Sequence, residues 1–188
     1  MSVLFGQVVQ QGYVVPDVEL AMQHWLDRGV GPFVFVDIKD FPGSYDSQPI
    51  MAAMQAGFAY SGDQQIEVIT PSDAHPSIYS DFLTTCPQGG LQHLAYWVDD
   101  IDLQLQMLDE QGVRYKVWQR YGEPGTYKAH AYIDLLDSPG VMIQLMARSD
   151  FYKMLFGQLK QAAADWDGHT DPIRVLDPAS GSLVARTD

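Results

Sequence analysis

The chain has 188 residues, 46% of them hydrophobic, which is enough for one substantial core or for two small modules that share one. Eleven basic against 24 acidic side chains give a formal net charge of -13, which repels phosphate backbones and anionic lipid headgroups. We therefore expect neither a nucleic acid nor a membrane partner. The sequence contains no run of about 18 apolar residues and does not begin like a secretory leader. A cytoplasmic protein is expected, in which the single cysteine, Cys86, is a passive residue.

A unit near the start of the chain is repeated later. The stretch VQQGYVVPDVELAM (9–22) returns as LQHLAYWVDDIDLQLQ (91–106). One register aligns the two copies, pairing Gln10 with His93, Tyr13 with Tyr96, Asp17 with Asp100 and Gly29 with Gly112. Each copy predicts a strand, an acidic turn that caps a helix, and an amphipathic helix that ends at a glycine.

After each predicted helix, apolar and polar residues alternate with a period of two, which indicates three further strands per copy. In the first copy they are PFVFVDI (32–38), IMAAMQAGFAY (50–60) and QQIEVIT (64–70); in the second, VRYKVWQRY (113–121), KAHAYIDLL (128–136) and GVMIQLMA (140–147). SGD around Gly62 and DSPG before the last strand predict turns, and KDFPGSYDSQP (39–49) and GEPGT (122–126) predict loops. Each copy is therefore predicted to be a β-α-β-β-β module.

The remaining segments predict a linker and a C-terminal extension. Within residues 71–90 a short helix is expected from Pro76 to Thr84. Residues 149–166 predict a helix whose apolar stripe docks on the modules or on a second subunit; the stripe consists of Phe151, Met154, Leu155 and Leu159. An irregular end follows, with IRVL (173–176) as a candidate edge strand.

Paired β-α-β-β-β modules with polar residues inside their first and last strands resemble the vicinal oxygen chelate superfamily. Its members include glyoxalase I, methylmalonyl-CoA epimerase, bleomycin-resistance proteins and extradiol dioxygenases. The resemblance covers about residues 5–148, through GYVVPD, GLQHLAYWVDDID and DSPGVMIQLM. It implies an α+β fold in which residues 1–148 form one domain with a cleft: module one at about 5–70, the linker at 71–90 and module two at about 91–148. Residues 149–188 form the extension, and a homodimer is expected because family members often pair.

The resemblance also implies one divalent metal ion, held by Gln10, Glu67, His93 and Gln144. One imidazole nitrogen and three oxygens are a donor set that suits Zn, Mn, Co, Ni or Fe. Gln144 departs from the family, in which a glutamate usually stands there as ligand and proton shuttle. An amide oxygen can ligate but has no useful basicity. Glu67 is then the matched residue able to act as a base, with His130 as an auxiliary acid or base if it points into the cleft.

Each of these polar residues, taken alone, fits an ordinary strand position. Their coincidence with the superfamily's four ligand positions favours a real site. His93 is the strongest individual candidate, because its apolar neighbours Leu91, Leu94 and Tyr96 give an imidazole little reason to be there without a partner. Abundant aromatic residues and methionines on the predicted strands indicate a hydrophobic pocket and a largely apolar small-molecule ligand.

Two functions are compatible with this pattern. The preferred one is a metal-dependent isomerase or lyase: the oxygens of a small carbon acid bind the ion, and Glu67 moves a proton on the adjacent carbon. The alternative is a metal-free protein that binds or sequesters a small molecule, of the bleomycin-resistance type, which Gln144 favours. Ring-cleaving iron chemistry is disfavoured, because the matched positions do not supply two histidines and one carboxylate.

Overall fold

Strands and helices follow the order that the repeat predicts. The computed structural model describes residues 4–138 and 140–187. Module one contains β1 (Gln10–Val14), α1 (Val18–Leu26), β2 (Phe33–Tyr45), β3 (Gln48–Ser61) and β4 (Gln64–Pro71). The linker helix is α2 (Ile78–Thr85). Module two contains β5 (Gly90–Val98), α3 (Ile101–Glu110), β6 (Tyr115–Tyr121), β7 (His130–Leu135) and β8 (Met142–Ala147). The extension forms α4 (Asp150–Asp165), β9 (Ile173–Leu176) and β10 (Leu183–Ala185).

The two acidic turns cap their helices in the same way. Asp17 accepts a hydrogen bond from the backbone N–H of Leu20 at 3.0 Å, and Asp100 accepts one from Leu103 at 2.9 Å. Each bond satisfies one of the N–H groups that the first helical turn leaves without a partner. The predicted equivalence of the two units therefore holds at the level of single hydrogen bonds.

The strands form one sheet that closes on itself. Their order is β10-β9-β2-β3-β4-β1-β5-β8-β7-β6, and β6 also pairs with β2. The modules meet at two seams: β1 lies antiparallel to β5, and the far end of β2 lies antiparallel to β6. Eight strands thus make a complete ring, which leaves neither module with an unpaired outer edge.

The predicted loop at 39–49 is wrong, because most of it is strand. β2 runs on through Pro42 to Tyr45, and only Asp46 and Ser47, both with positive φ, make the turn to β3. Pro42 has no amide proton to give, but its carbonyl accepts from Gly122 N at 3.1 Å. At Gly43 an added Cβ would lie 2.5 Å from the carbonyl oxygen of Arg120, so a glycine is needed where β6 approaches.

The C-terminal extension is more regular than its sequence indicates. The candidate strand at 173–176 is present as β9, which pairs parallel to β2, but the segment beyond it also forms a strand, β10. The predicted turn DSPG contains Pro139, which lies outside the described residues. No helix in the described part of the chain is long and apolar enough to cross a membrane.

Helices α2 and α4 cover opposite ends of the ring. On α2, Tyr79 packs with Val14 and Ile69, at one end of the central strands. On α4, Leu155, Phe156 and Leu159 pack on Val34 and Phe58, at the other end. The predicted apolar stripe of α4 is thus partly wrong, because Phe151 and Met154 are exposed and Phe156 is buried. Of the two docking partners considered for this helix, it uses its own modules.

Candidate functional site

The ring encloses a cavity of about 330 Å3 whose two sides differ in chemistry. Apart from Gln10 and Glu67, the module-one wall is apolar and consists of Val36, Ile38, Phe41, Met54, Ala56, Phe58 and Ile69. The module-two wall is largely polar and consists of Tyr121, His130, Tyr132 and Gln144, with Met146 as its apolar member. Helix α4 closes one end with Phe151, Tyr152, Leu155 and Phe156. Together these surfaces suit a ligand that is apolar on one side and oxygenated on the other.

The four predicted ligands come together on four neighbouring strands. Gln10 is on β1, Glu67 on β4, His93 on β5 and Gln144 on β8, and all four are buried. The pairing of the strands places the four residues close together. Gly12 on β1 is paired with Glu67 on one side and with His93 on the other, and Ala95 on β5 is paired with Gln10 on one side and with Gln144 on the other. Gly12 and Gln10 are two residues apart on β1, as are His93 and Ala95 on β5. We call this set of four residues the polar centre. Gln10, Glu67 and Gln144 line the cavity, and His93 lies deeper, in contact with Glu67.

The imidazole of His93 is held from both sides. Its Nδ1 lies 2.7 Å from Oε1 of Gln92, and its Nε2 lies 2.9 Å from Oε2 of Glu67. Because an amide oxygen only accepts, the Nδ1 proton must be donated to Gln92. In a neutral imidazole Nε2 would then present a lone pair to a carboxylate oxygen, so a proton or a cation has to lie between the two acceptors.

Gln92 reaches His93 through an irregularity in β5. Strict alternation would put residues 92 and 93 on opposite faces of the sheet. The register against β1 shifts, however: Gly12 pairs with His93 and Tyr13 with Leu91, which leaves Gln92 unpaired. A bulge of this kind re-aims a side chain. Gln92 was not predicted as a site residue for this reason, since the pattern of apolar residues carries no signal for a bulge.

Gly12 supplies the space that the imidazole occupies. A Cβ built on Gly12 would lie 2.0 Å from both Cε1 and Nε2 of His93, well inside van der Waals contact. The equivalent position in module two is Ala95, which faces Gln10 and does carry a Cβ. An imidazole at one end of the β1–β5 pair is therefore compatible only with a glycine opposite it.

The two glutamines of the polar centre use their nitrogens and leave their oxygens free. Nε2 of Gln10 donates to Oε1 of Gln65 at 2.6 Å, and Nε2 of Gln144 donates to the hydroxyl of Tyr132 at 2.7 Å. Across residues 4–138 and 140–187, neither Oε1 of Gln10 nor Oε1 of Gln144 has a hydrogen-bond partner. A buried acceptor without a partner costs about 1–3 kcal/mol. These two atoms are therefore the places where a cation or a donor would bind most favourably.

The module-two wall stays uncharged at neutral pH. Burial, with a smaller contribution from the nearby His93, lowers the pKa of His130 to about 4. Burial also raises the pKa of Tyr152 to about 12, and the pKa of Tyr132 well above its usual value. His130 points into the cavity and is a neutral imidazole, and the phenols remain hydrogen-bond donors.

The polar centre contains one imidazole and one carboxylate. Among the described residues, no three histidine, cysteine, aspartate or glutamate side chains cluster as they would in a site made of those residues alone. Any cation at the polar centre would therefore need the amide oxygens of Gln10 and Gln144. Amide oxygens are acceptable ligands for hard and borderline divalent ions.

Comparison with known proteins supports the fold and its family. Residues 9–131, about two-thirds of the chain, match the sequence profile described as Glyoxalase/Bleomycin resistance protein/Dioxygenase superfamily. No curated protein sequence matches the chain. Methylmalonyl-CoA epimerase from Mycobacterium tuberculosis is similar in structure, with a TM-score of 0.53 and 22% identity over 79% of this chain and 93% of that one.

Two further solved structures show the same fold. A hypothetical protein from Bacillus halodurans C-125 has a TM-score of 0.53 and 17% identity, over 77% of this chain and 95% of that one. A mutant of 4-hydroxymandelate synthase from Streptomyces coelicolor has a TM-score of 0.50 and 13% identity, over 76% of this chain and 49% of that one. The matched family profile ends at residue 131, before β8 and α4.

Proposed function

Because the chain belongs to the superfamily of glyoxalases, bleomycin-resistance proteins and dioxygenases, we propose that its polar centre binds one divalent cation. We further propose that the protein is an isomerase or lyase acting on a small, largely apolar, oxygenated carbon acid. One observation carries this proposal: among the described residues, Oε1 of Gln10 and Oε1 of Gln144 have no hydrogen-bond partner. The two glutamines are on strands adjacent to those of Glu67 and His93, which contact each other. Two orphaned acceptors next to two further acceptors favour a bound cation.

The residues of the polar centre fit such an ion. His93 offers Nε2, because Gln92 fixes the proton on Nδ1, which is the usual support for a histidine ligand. Nε2 of His93 and Oε2 of Glu67 lie 2.9 Å apart, so both atoms would be available to hold one ion. The donor set suits Zn, Mn, Co, Ni or Fe. Since only one ligand is anionic, the affinity is expected to be lower than at a site with two carboxylates.

The chain's own side chains account for the proposed chemistry. A bound divalent ion supplies Lewis acidity toward substrate oxygens. Glu67 contacts His93 through Oε2, which leaves Oε1 to take a proton from the carbon next to a substrate carbonyl. The module-one wall excludes water from this carboxylate and strengthens the electrostatic interactions inside the cavity. His130 lines the opposite side of the cavity, where its Nδ1 lies 3.2 Å from Nε2 of Gln144 and its Nε2 lies 2.5 Å from the hydroxyl of Tyr152. For His130 to act as an auxiliary acid or base, one of these two hydrogen bonds would have to open.

A metal-free binding protein is the second candidate. It is favoured by Gln144, whose amide stands where family enzymes carry a carboxylate, and by the direct contact between His93 and Glu67. A proton shared between those two groups would satisfy both without an ion. The cavity would then sequester an apolar ligand and turn nothing over.

Metal content separates the two candidates. We would purify the protein without chelator or nickel resin and measure its metal by plasma mass spectrometry, beside His93→Ala and the control His24→Ala, which removes an exposed imidazole. The enzyme proposal predicts about one equivalent of a transition metal, lost in His93→Ala and retained in His24→Ala. A protein that Zn, Mn, Co, Ni and Fe all fail to load would contradict it and leave the binding protein.

The role of Glu67 has its own test. Glu67→Gln keeps the shape of the side chain and an oxygen for the ion but removes its basicity. We expect this variant to lose solvent-deuterium incorporation at the carbon next to the carbonyl of a turned-over carbon acid, while it keeps its metal. Unchanged incorporation would remove Glu67 as the base.

We also propose that the chain forms a homodimer in the cytoplasm. Leu20 on α1 and Leu103 on α3 occupy equivalent positions of the repeat, and both are largely exposed. Apolar side chains at matched positions on two helices would suit a symmetric interface. Light scattering at micromolar concentration would test this, and a monomeric mass would contradict it.

A further inference from the structure

We propose that Tyr152, on the C-terminal helix α4, donates a hydrogen bond to the substrate. The substrate would then carry an accepting oxygen in addition to those that bind at the polar centre. This inference rests on the proposed function and extends it, because it assigns part of substrate recognition to a helix beyond the matched family profile, which ends at residue 131.

Tyr152 is held firmly at the cavity. Its helix is capped by Ser149, whose side chain accepts from the backbone N–H of Tyr152 at 3.2 Å, and it is anchored by the buried Leu155 and Leu159. The phenol ring stacks on Phe156, with the ring centroids 5.6 Å apart. Its hydroxyl oxygen lies 2.5 Å from Nε2 of His130, on the module-two wall. A rigid helix therefore presents one hydroxyl to the interior.

The direction of the hydrogen bonds leaves the Tyr152 proton unused. Nε2 of Gln144 lies 3.2 Å from Nδ1 of His130, and an amide nitrogen can only donate, so Nδ1 must be the accepting nitrogen. A neutral His130 then carries its proton on Nε2 and donates it to the hydroxyl oxygen of Tyr152. With its oxygen serving as acceptor, Tyr152 has its own O–H left to give.

The structure contains no partner for that proton within residues 4–138 and 140–187, since no hydrogen bond donated by the Tyr152 hydroxyl is found there. Tyr152 lines the cavity, so a ligand oxygen bound there could accept this proton. No lysine or arginine lines the described cavity, so a neutral acceptor fits better than a carboxylate. The substrate class is thus an apolar carbon acid with a carbonyl or ether oxygen on the part that faces α4.

A pair of matched probes can test this on the full-length, zinc-loaded protein. 4-Acetylbenzohydroxamate and 4-isopropylbenzohydroxamate share a chelating pair of oxygens and a similar shape, but only the acetyl compound has an acceptor oxygen on its far side. The corresponding 3-acetyl and 3-isopropyl compounds would place the same groups at a different distance and direction from the chelating oxygens. Dissociation constants would be measured by calorimetry for the wild type, Tyr152→Phe and the control Tyr115→Phe. The control loses a hydroxyl that donates to the carbonyl oxygen of Leu105, outside the cavity.

We expect the wild type to prefer the acetyl probe by about three- to tenfold in at least one isomer series, the worth of one hydrogen bond. Tyr152→Phe should abolish this preference while binding the isopropyl probe unchanged, and Tyr115→Phe should retain it. A purely structural role for Tyr152 would instead weaken both probes equally.

Metal content, measured on the same samples, distinguishes a failure of the inference about Tyr152 from a failure of the proposed function. If zinc is bound and both probes bind without a preference, or if the preference survives in Tyr152→Phe, the inference about Tyr152 is overturned and the proposed function stands. If zinc cannot be loaded and no hydroxamate binds, the proposed function fails and this inference with it.

Discussion

Module one and module two contribute the same strands to the cavity but different chemistry. Beyond the residues of the polar centre, module one lines its side with aliphatic side chains and two phenyl rings, whereas module two lines its side mainly with phenols and an imidazole. The equivalent positions of the repeat differ too, since Gln10 corresponds to His93 and Gly12 to Ala95. The two modules thus share a backbone arrangement but differ in their inner side chains. Module one supplies most of the hydrophobic surface, and module two supplies most of the hydroxyl groups.

The largest effect on stability is expected from a substitution that tests why module one has a glycine at position 12 where module two has Ala95. Gly12→Ala would drive a Cβ into the ring of His93, so we expect a loss of about 3 kcal/mol in the free energy of unfolding. The matched change in module two, Ala95→Gly, should cost about 1 kcal/mol. Urea denaturation of both variants would measure this. Equal losses would show that the imidazole does not depend on the glycine.

The bulge in β5 exists in module two and supports His93 through Gln92. Gln92→Met keeps the length of the side chain but removes the acceptor for the Nδ1 proton, so the imidazole loses its fixed tautomer. We expect zinc affinity to fall about 10- to 100-fold, as for other residues that orient a ligand. Competition with a chromogenic chelator would measure it. Val9 is the module-one counterpart of Gln92, and Val9→Ala should leave the zinc affinity unchanged.

The module-two wall depends on its hydroxyl groups. Tyr132→Phe removes the oxygen that accepts from Nε2 of Gln144 at 2.7 Å and bonds with the hydroxyl of Tyr79 at 2.9 Å. Buried polar groups left without a partner should lower the free energy of unfolding by about 2 kcal/mol. As a control, Tyr13→Phe removes a half-buried hydroxyl bonded to Gln11 and should cost less than about 1 kcal/mol. Similar losses in the free energy of unfolding for Tyr132→Phe and Tyr13→Phe would show that the hydroxyl groups of the module-two wall contribute no more than an ordinary half-buried one.

The smallest expected effect concerns the two amides of the polar centre, Gln10 and Gln144. Gln144→Glu and Gln10→Glu each add a negative charge, and we expect the first to tighten zinc binding about tenfold. The hydroxyl of Tyr132 can turn to donate to a carboxylate at position 144, whereas Gln65 presents an acceptor to position 10. Gln10→Glu should therefore gain less. Calorimetric titration with zinc would measure the affinity of both variants. A larger gain for Gln10→Glu would show that the hydroxyl of Tyr132 does not turn to donate to a carboxylate at position 144.

Local signals and the repeat made much of this fold predictable from the sequence. Asp17 and Asp100 identified both helix starts, because a cap is a property of a few adjacent residues. Alternation located most of the strands, and the repeat paired Gln10 with His93. The full set of four residues in the polar centre came from the resemblance to a known superfamily and not from the repeat alone.

Features that depend on distant partners were missed. The stretch at 39–45 is a strand because β3 and β6 pair with it, although Pro42 and Gly43 favour a loop locally. Gln92 turns inward because of a shift in register against β1. Tyr152 enters the cavity because of the way α4 docks on the ring. Each outcome is decided by an element far away in the sequence.

The second seam, between β2 and β6, has a mechanical consequence. If the modules were joined only through β1 and β5, they could rotate about that seam and change the distance between the two walls of the cavity. Backbone pairing of Gly43 with Tyr121 and of Tyr45 with Gln119 locks the opposite side, so the distance between the walls is fixed. If a ligand binds in the cavity as proposed, we expect it to enter at an end of the ring and not between the modules. Phe151, at the start of α4, lines the cavity and is exposed to solvent, so it would lie on such a path.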